Sequence, residues 1–104
     1  MIIYSVTVSI DNAVEADWVA WMRTKHIPDV METGFFVTAH MHRLLDPAPE
    51  AGVSTFNIHY ECVSMDAYET YRETKAPKLQ DEHLARYKDR FVAFRTLLAR
   101  EDSF

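Results

Sequence analysis

Ile2-Ile3-Tyr4-Ser5-Val6-Thr7-Val8-Ser9-Ile10-Asp11-Asn12-Ala13-Val14-Glu15-Ala16-Asp17-Trp18-Val19-Ala20-Trp21-Met22 decides the fold. Up to Ile10 the apolar residues recur every second position, the signature of a half-buried strand. Ile2, Tyr4, Val6, Val8 and Ile10 share one face; Ser5, Thr7 and Ser9 share the other. Asp11 and Asn12 then offer turn and cap chemistry, and Glu15 stands three residues after Asn12, as in a capping box. Beyond Ala13 the spacing changes to that of a helix, with Val14, Trp18, Trp21, Met22 and Lys25 on one side. One strand therefore feeds directly into one amphipathic helix.

The same switch occurs once more in the chain, after the third strand. Pro28 disfavours helical geometry at Ile27, which predicts an end or kink near His26, a short further turn over Asp29–Glu32, and a stop at Gly34. Phe35–Leu45 and Val53–Val63 read as strands, joined through the turn-rich Asp46-Pro47-Ala48-Pro49-Glu50-Ala51-Gly52 as a hairpin. Ser64 suits the cap of a helix over Met65–Lys75, with Met65, Tyr68, Tyr71 and Arg72 as its inner stripe. Pro77 then starts another helix to about Tyr87, with Leu79, His83 and Tyr87 four apart. Phe91–Leu98 is a fourth strand. The order strand, helix, strand, strand, helix, strand predicts an α+β ferredoxin-like βαββαβ fold: a four-stranded antiparallel sheet with helices on one face, strands one and three central.

Residues 1–104 fit a single ferredoxin-like domain, at 48% hydrophobic and 26% charged. No apolar run is long enough to span a bilayer, and the alternating N-terminal stretch does not read as a signal peptide. The lone Cys62 forms no internal disulfide and points to a reducing, cytoplasmic setting. Eleven basic against sixteen acidic residues, a formal charge of −5, argue against nucleic acid as partner. With Gly34 and Gly52 as the only glycines there is no phosphate-cradling loop, so no nucleotide cofactor is expected. No nucleophile motif is present either.

Two histidine groups remain. His40, His42 and His59 fall on the polar face of their strands. A hairpin register setting His40 opposite His59, and His42 opposite Asn57, would gather three imidazoles, with His40 and His42 about 7 Å apart along the strand, a donor set for zinc or a related metal. A plain polar face, solvated or paired with a second subunit, is the favoured reading of these residues, and no metal is expected. His26 ends the first helix and His83 lies on the inner stripe of the last. Alternation sets Arg43 between Met41 and Leu45 and Arg95 between Ala93 and Leu97; either, if it points inward, needs an anion or carboxylate partner. With Tyr71 and Arg95 the two histidines make a candidate pocket of aromatic walls and few polar groups. Trp18 and Trp21, three apart, cannot both lie squarely on the buried stripe; one is expected to be buried and the other partly covered, by the tail or a second chain. Phe36 and Leu44, placed by alternation on the open face, suggest a homodimer through that face.

Met1-Ile2-Ile3-Tyr4, Trp18-x-x-Trp21-Met22, His26-Ile27-Pro28-Asp29-Val30, Thr33-Gly34-Phe35 and Phe94-Arg95-Thr96-Leu97-Leu98 together resemble the DUF4286 proteins, a small bacterial family of unknown function. The resemblance implies a ferredoxin-like fold of the dimeric α/β-barrel kind and assigns no catalytic residue. By analogy with that barrel superfamily, a cofactor-independent isomerase or oxygenase would be the enzymatic form of a cytoplasmic homodimer that binds a small, partly apolar ligand between sheet and helices. A non-catalytic dimerisation or interaction module is the alternative.

Overall fold

The computed structural model describes all residues from Met1 to Phe104. Strand β1 (Ile2–Asp11) is followed by helices α1 (Glu15–Trp21) and α2 (Ile27–Glu32), strands β2 (Thr38–Arg43) and β3 (Val53–Cys62), helices α3 (Met65–Thr74) and α4 (Ala76–Tyr87), and strand β4 (Phe91–Ala99). The strands form one antiparallel sheet in the order β2-β3-β1-β4. β1 and β3 occupy its centre, as right-handed crossovers require. The inward residues of β1 and β3, among them Tyr4, Val8, Ile10, Phe56, Ile58, Tyr60 and Cys62, are buried against Trp18, Met22 and Val30 on one side and Tyr68, Tyr71, Leu79 and Tyr87 on the other. The fold is the α+β ferredoxin-like arrangement that the alternation predicts. No helix is long and apolar enough to cross a membrane.

Local departures have local causes. Pro28 neither ends nor breaks the first helical run. Residues Met22–His26 form a π turn in which the Ile27 N–H donates to the Met22 carbonyl, five residues earlier. The wider turn accommodates a residue that has no N–H of its own. The capping box does not form: the Asp11 carboxylate accepts the Ala13 N–H at 2.8 Å. Glu15 turns instead to the Ser54 hydroxyl and the Arg43 guanidinium, tying α1 to β3 and β2. Arg43 is thus at the surface and not inward. The expected cap at Ser64 is present, its hydroxyl accepting the Ala67 N–H at 3.1 Å. Of the inner stripe read on α3, Tyr68 and Tyr71 are buried but Met65 and Arg72 are exposed.

Phe36 is displaced from its expected place. β2 begins only at Thr38, because Gly34 turns through a positive φ of 82° and resets the phase of the alternation. The Phe36 ring therefore lies in the core, 4.7 Å from Tyr71 and 5.2 Å from Tyr60. Leu44 lies just past the end of β2. The apolar part of the open sheet face comes from β4, where Val92, Phe94 and Leu98 are 73%, 62% and 47% exposed. The hairpin register is the expected one, with His40 opposite His59 and His42 opposite Asn57.

Candidate functional site

Three of the four predicted pocket residues, His26, Tyr71 and His83, come from helical segments that meet only in the tertiary structure. Trp18, on α1, is fully buried, and its indole Nε1–H donates to His83 Nε2 on α4 at 2.9 Å. Because an indole nitrogen can only donate, Nε2 of His83 must accept, so the neutral ring carries its proton on Nδ1. Trp21, the half-buried tryptophan, stacks on His26 at 5.0 Å and stands over His83 at 5.7 Å and Tyr87 at 5.5 Å. Its cover is α4 of the same chain, Arg86 included, and not the tail. The π turn delivers His26 to the same spot, with its ring 5.7 Å from that of His83.

The sheet supplies the opposite wall. Tyr4, Tyr60 and Ile58 face the helices, and Tyr71 of α3 closes one side. Arg95, on the edge strand β4, pairs with Val6 across the ladder. It reaches diagonally so that its Nε–H donates to the Tyr4 hydroxyl at 3.0 Å. His26, Tyr71, His83 and Arg95 thus line one cavity. It measures about 460 Å³ out to its mouth, of which about 30 Å³ is open to the centre of a water molecule, room for about two waters.

The electrostatics follow from burial. Burial lowers His26 to a pKa of about 4; Asp29 opposes the shift, while Arg95 and Lys25 add to it. Burial likewise lowers His83 to about 4, helped by His26 and Arg95. The Trp18 N–H works in the same direction, because a proton on Nε2 would face another donor. Burial also raises the hydroxyls of Tyr71 and Tyr4, the latter partly offset by Arg95. Near neutral pH the cavity therefore holds two uncharged imidazoles and protonated phenols beside one guanidinium. Nδ1 of His26 is fully buried and has no hydrogen-bond partner. Native proteins rarely leave such a group unpaired, and each case calls for an explanation.

The strand histidines are arranged differently. His42 lies 5.6 Å from His59 and 6.3 Å from His40, ring to ring. Nonetheless, no three His, Cys, Asp or Glu side chains are grouped so as to hold a metal ion. Around them the polar face is self-satisfied: Asn57 donates to Ser5 at 2.8 Å and to Thr7 at 3.0 Å, and Ser9 pairs with Thr55 at 2.8 Å. The Trp18–His83 bond and the Tyr4–Arg95 pair are absent from the sequence reading. The second was within reach, since Tyr4 and Arg95 both fall on the inward face by alternation. The first depends on a helix–helix approach that spacing does not specify.

The model of the family described as "Domain of unknown function (DUF4286)" matches residues 1–101. The chain belongs to the DUF4286 family. No curated protein matches it. Among solved structures, this DUF4286 chain is similar to HapK from Hahella chejuensis, with 12% identity over 100% of this chain and 96% of that one and a TM-score of 0.72. A dimeric ferredoxin-like protein from an uncultured marine organism shares 10% identity over 100% and 98%, with a TM-score of 0.69. SnoaB, a cofactor-independent oxygenase from Streptomyces nogalater, shares 15% over 98% and 95%, with a TM-score of 0.67. Identities this low establish the shared fold alone.

Proposed function

We propose that this DUF4286 protein, a single folded unit, binds a small, partly apolar molecule bearing a hydrogen-bonding group in the cavity between sheet and helices, and that it works as a homodimer. The observation that carries the ligand site is His26 Nδ1, buried without a partner in a cavity that also holds His83, Tyr71 and Arg95. A ligand group hydrogen-bonded there would satisfy it. On its own the pair is a weak base, since a pKa near 4 reflects the cost of creating charge there. A proton taken from a ligand would be held only while the ligand's own anion stayed beside the imidazolium. The fold shared with a protein described as a cofactor-independent oxygenase is compatible with such proton transfer, but fold alone assigns no activity. Pairing through the open sheet face is supported by the exposed β4 row and by the dimeric ferredoxin-like neighbour.

One observation favours the alternative, a non-catalytic dimerisation module: only about 30 Å³ of the cavity admits a water centre, well below the few hundred Å³ typical of ligand pockets. Binding therefore requires the helices to part slightly from the sheet. Phenol, a small apolar ring with one hydroxyl, separates the two accounts in an amide-resolved NMR titration. The ligand site predicts saturable shifts at Val30, Ile58, Leu79 and Ala93, still signals at Thr7 and Asn57, and loss of the response in Ala93→Phe, which fills the space. A folded protein in which no cavity signal moves leaves the dimerisation module as the better account.

A further inference from the structure

Resting on the ligand-site assignment above, we infer that the ligand is a flat, apolar carboxylate, held at the cavity mouth by the free end of the Arg95 guanidinium. Five of the other six arginines meet a carboxylate, Arg23 being the exception: Arg43 with Glu15, Arg72 with Glu73, Arg86 with Asp17, Arg90 with Asp11, and Arg100 with Glu61. Arg95 meets none. Its single protein partner is the Tyr4 hydroxyl, bonded to Nε. Both Nη nitrogens remain without a protein acceptor, and they form the side of the guanidinium fork that matches a carboxylate two oxygens at a time.

The surroundings fit the same charge. Arg95 is the one formally charged residue lining the cavity, and no Asp or Glu lines it. Tyr4 spends an oxygen lone pair on Arg95, with Gln80 beside the same hydroxyl, and its O–H can still donate. His83 is committed as an acceptor to Trp18, so its Nδ1–H is a donor too. A site with a fixed positive charge, several donors and walls of Tyr4, Tyr60 and Tyr71 suits an anion carried on a flat apolar body. It discriminates against a cation, which would face the guanidinium without a counter-charge.

Benzoate, benzamide and benzamidinium share a shape and differ in charge, so together they test the inference. Titrations at pH 7 and fixed ionic strength, followed at the cavity amides, should show benzoate binding at least about tenfold tighter than benzamide, the scale of a charge-assisted hydrogen bond. Benzamidinium should give no saturable shift. Arg95→Gln should erase the preference, bringing the affinity for benzoate down to that for benzamide. Tyr4→Phe, which keeps the ring, should weaken benzoate by a few-fold. Unchanged amide dispersion in both variants confirms that they fold. Equal affinity for benzoate and benzamide, or an Arg95→Gln protein that binds benzoate normally, overturns the carboxylate while leaving a neutral-ligand site standing. Silence from all three probes and from phenol overturns both.

Discussion

The two faces of the sheet carry the same residue type in opposite circumstances. On the covered face, His26 and His83 stand 5.7 Å apart under Trp21, and burial holds both to a pKa of about 4. On the open face, His42 and His59 stand 5.6 Å apart. There solvent reaches the rings, and His59 is lowered by partial burial first and by His42 second. Ring proximity is the same; what differs is enclosure and unmet hydrogen bonding. The open face satisfies its polar atoms through Asn57, Ser5, Thr7, Ser9 and Thr55. The covered face leaves one imidazole nitrogen and one guanidinium edge unused. A cluster of histidines becomes a candidate site through what its surroundings withhold.

The largest effect expected from this contrast is on folding. Trp18→Ala should cost about 3–5 kcal/mol, at the upper end because His83 Nε2 loses its donor. Urea unfolding measures it, and a loss below about 1 kcal/mol would mean that α1 and α4 are not joined as described. Trp21→Ala should cost less, since that ring is not fully buried to begin with.

Next comes pH. A histidine held near 4 when folded and near 6.5 when unfolded binds its proton more readily in the unfolded chain. Stability from the covered pair is therefore complete above about pH 6.5 and is lost as the pH falls toward 4. Each ring contributes up to about 3 kcal/mol, partly shared because the two face each other. A double His26→Gln, His83→Gln variant should flatten the unfolding free energy between pH 6.5 and 4.5. A slope unchanged in that variant would place its origin elsewhere.

The open face should respond in assembly and not in folding. Light scattering of the wild type should give about 24 kDa, twice the 12.1 kDa chain. Phe94→Asp should return it to the one-chain mass while changing chain stability by no more than about 0.5 kcal/mol, as for an exposed position. A wild type that already scatters as one chain removes the dimer. The smallest effect belongs to His42→Gln, which should be silent within about 0.5 kcal/mol in the presence or absence of zinc. Zinc-dependent stabilisation that His42→Gln abolishes would restore the metal reading for His40, His42 and His59.

Much of the fold was legible because it is written in local period. Alternation in Ile2–Ile10 and Val53–Val63 fixed which residues face the helices, and it extended far enough to set His40 against His59. It also set Arg95 among inward-facing neighbours, helical spacing set Tyr71 and His83 on inner stripes, and His26 fell at the end of the first helical pattern beside them. What escaped was non-local or phase-dependent. The positive φ at Gly34 shifted Phe36 into the core, and with it went the residues first expected to make the open face apolar. Glu15 matched a capping pattern, but Ser54 and Arg43, brought close by the sheet, compete for its carboxylate. Pro28 predicted a break that a π turn absorbs. The Trp18–His83 bond joins residues 65 positions apart, a separation that no periodicity reports.

The central claim is that the covered imidazoles are neutral, enclosed and available to a ligand, and ring-nitrogen NMR of ¹⁵N-labelled protein tests it most directly. Across pH 3.5–8, His26 and His83 should stay uncharged until the pH approaches 4, with His83 protonated at Nδ1. Benzoate at pH 7 should shift their ring nitrogens and leave those of His40 and His42 unmoved. Rings of His26 and His83 that charge between pH 6 and 7, and that ignore benzoate while the strand histidines respond, would contradict the account.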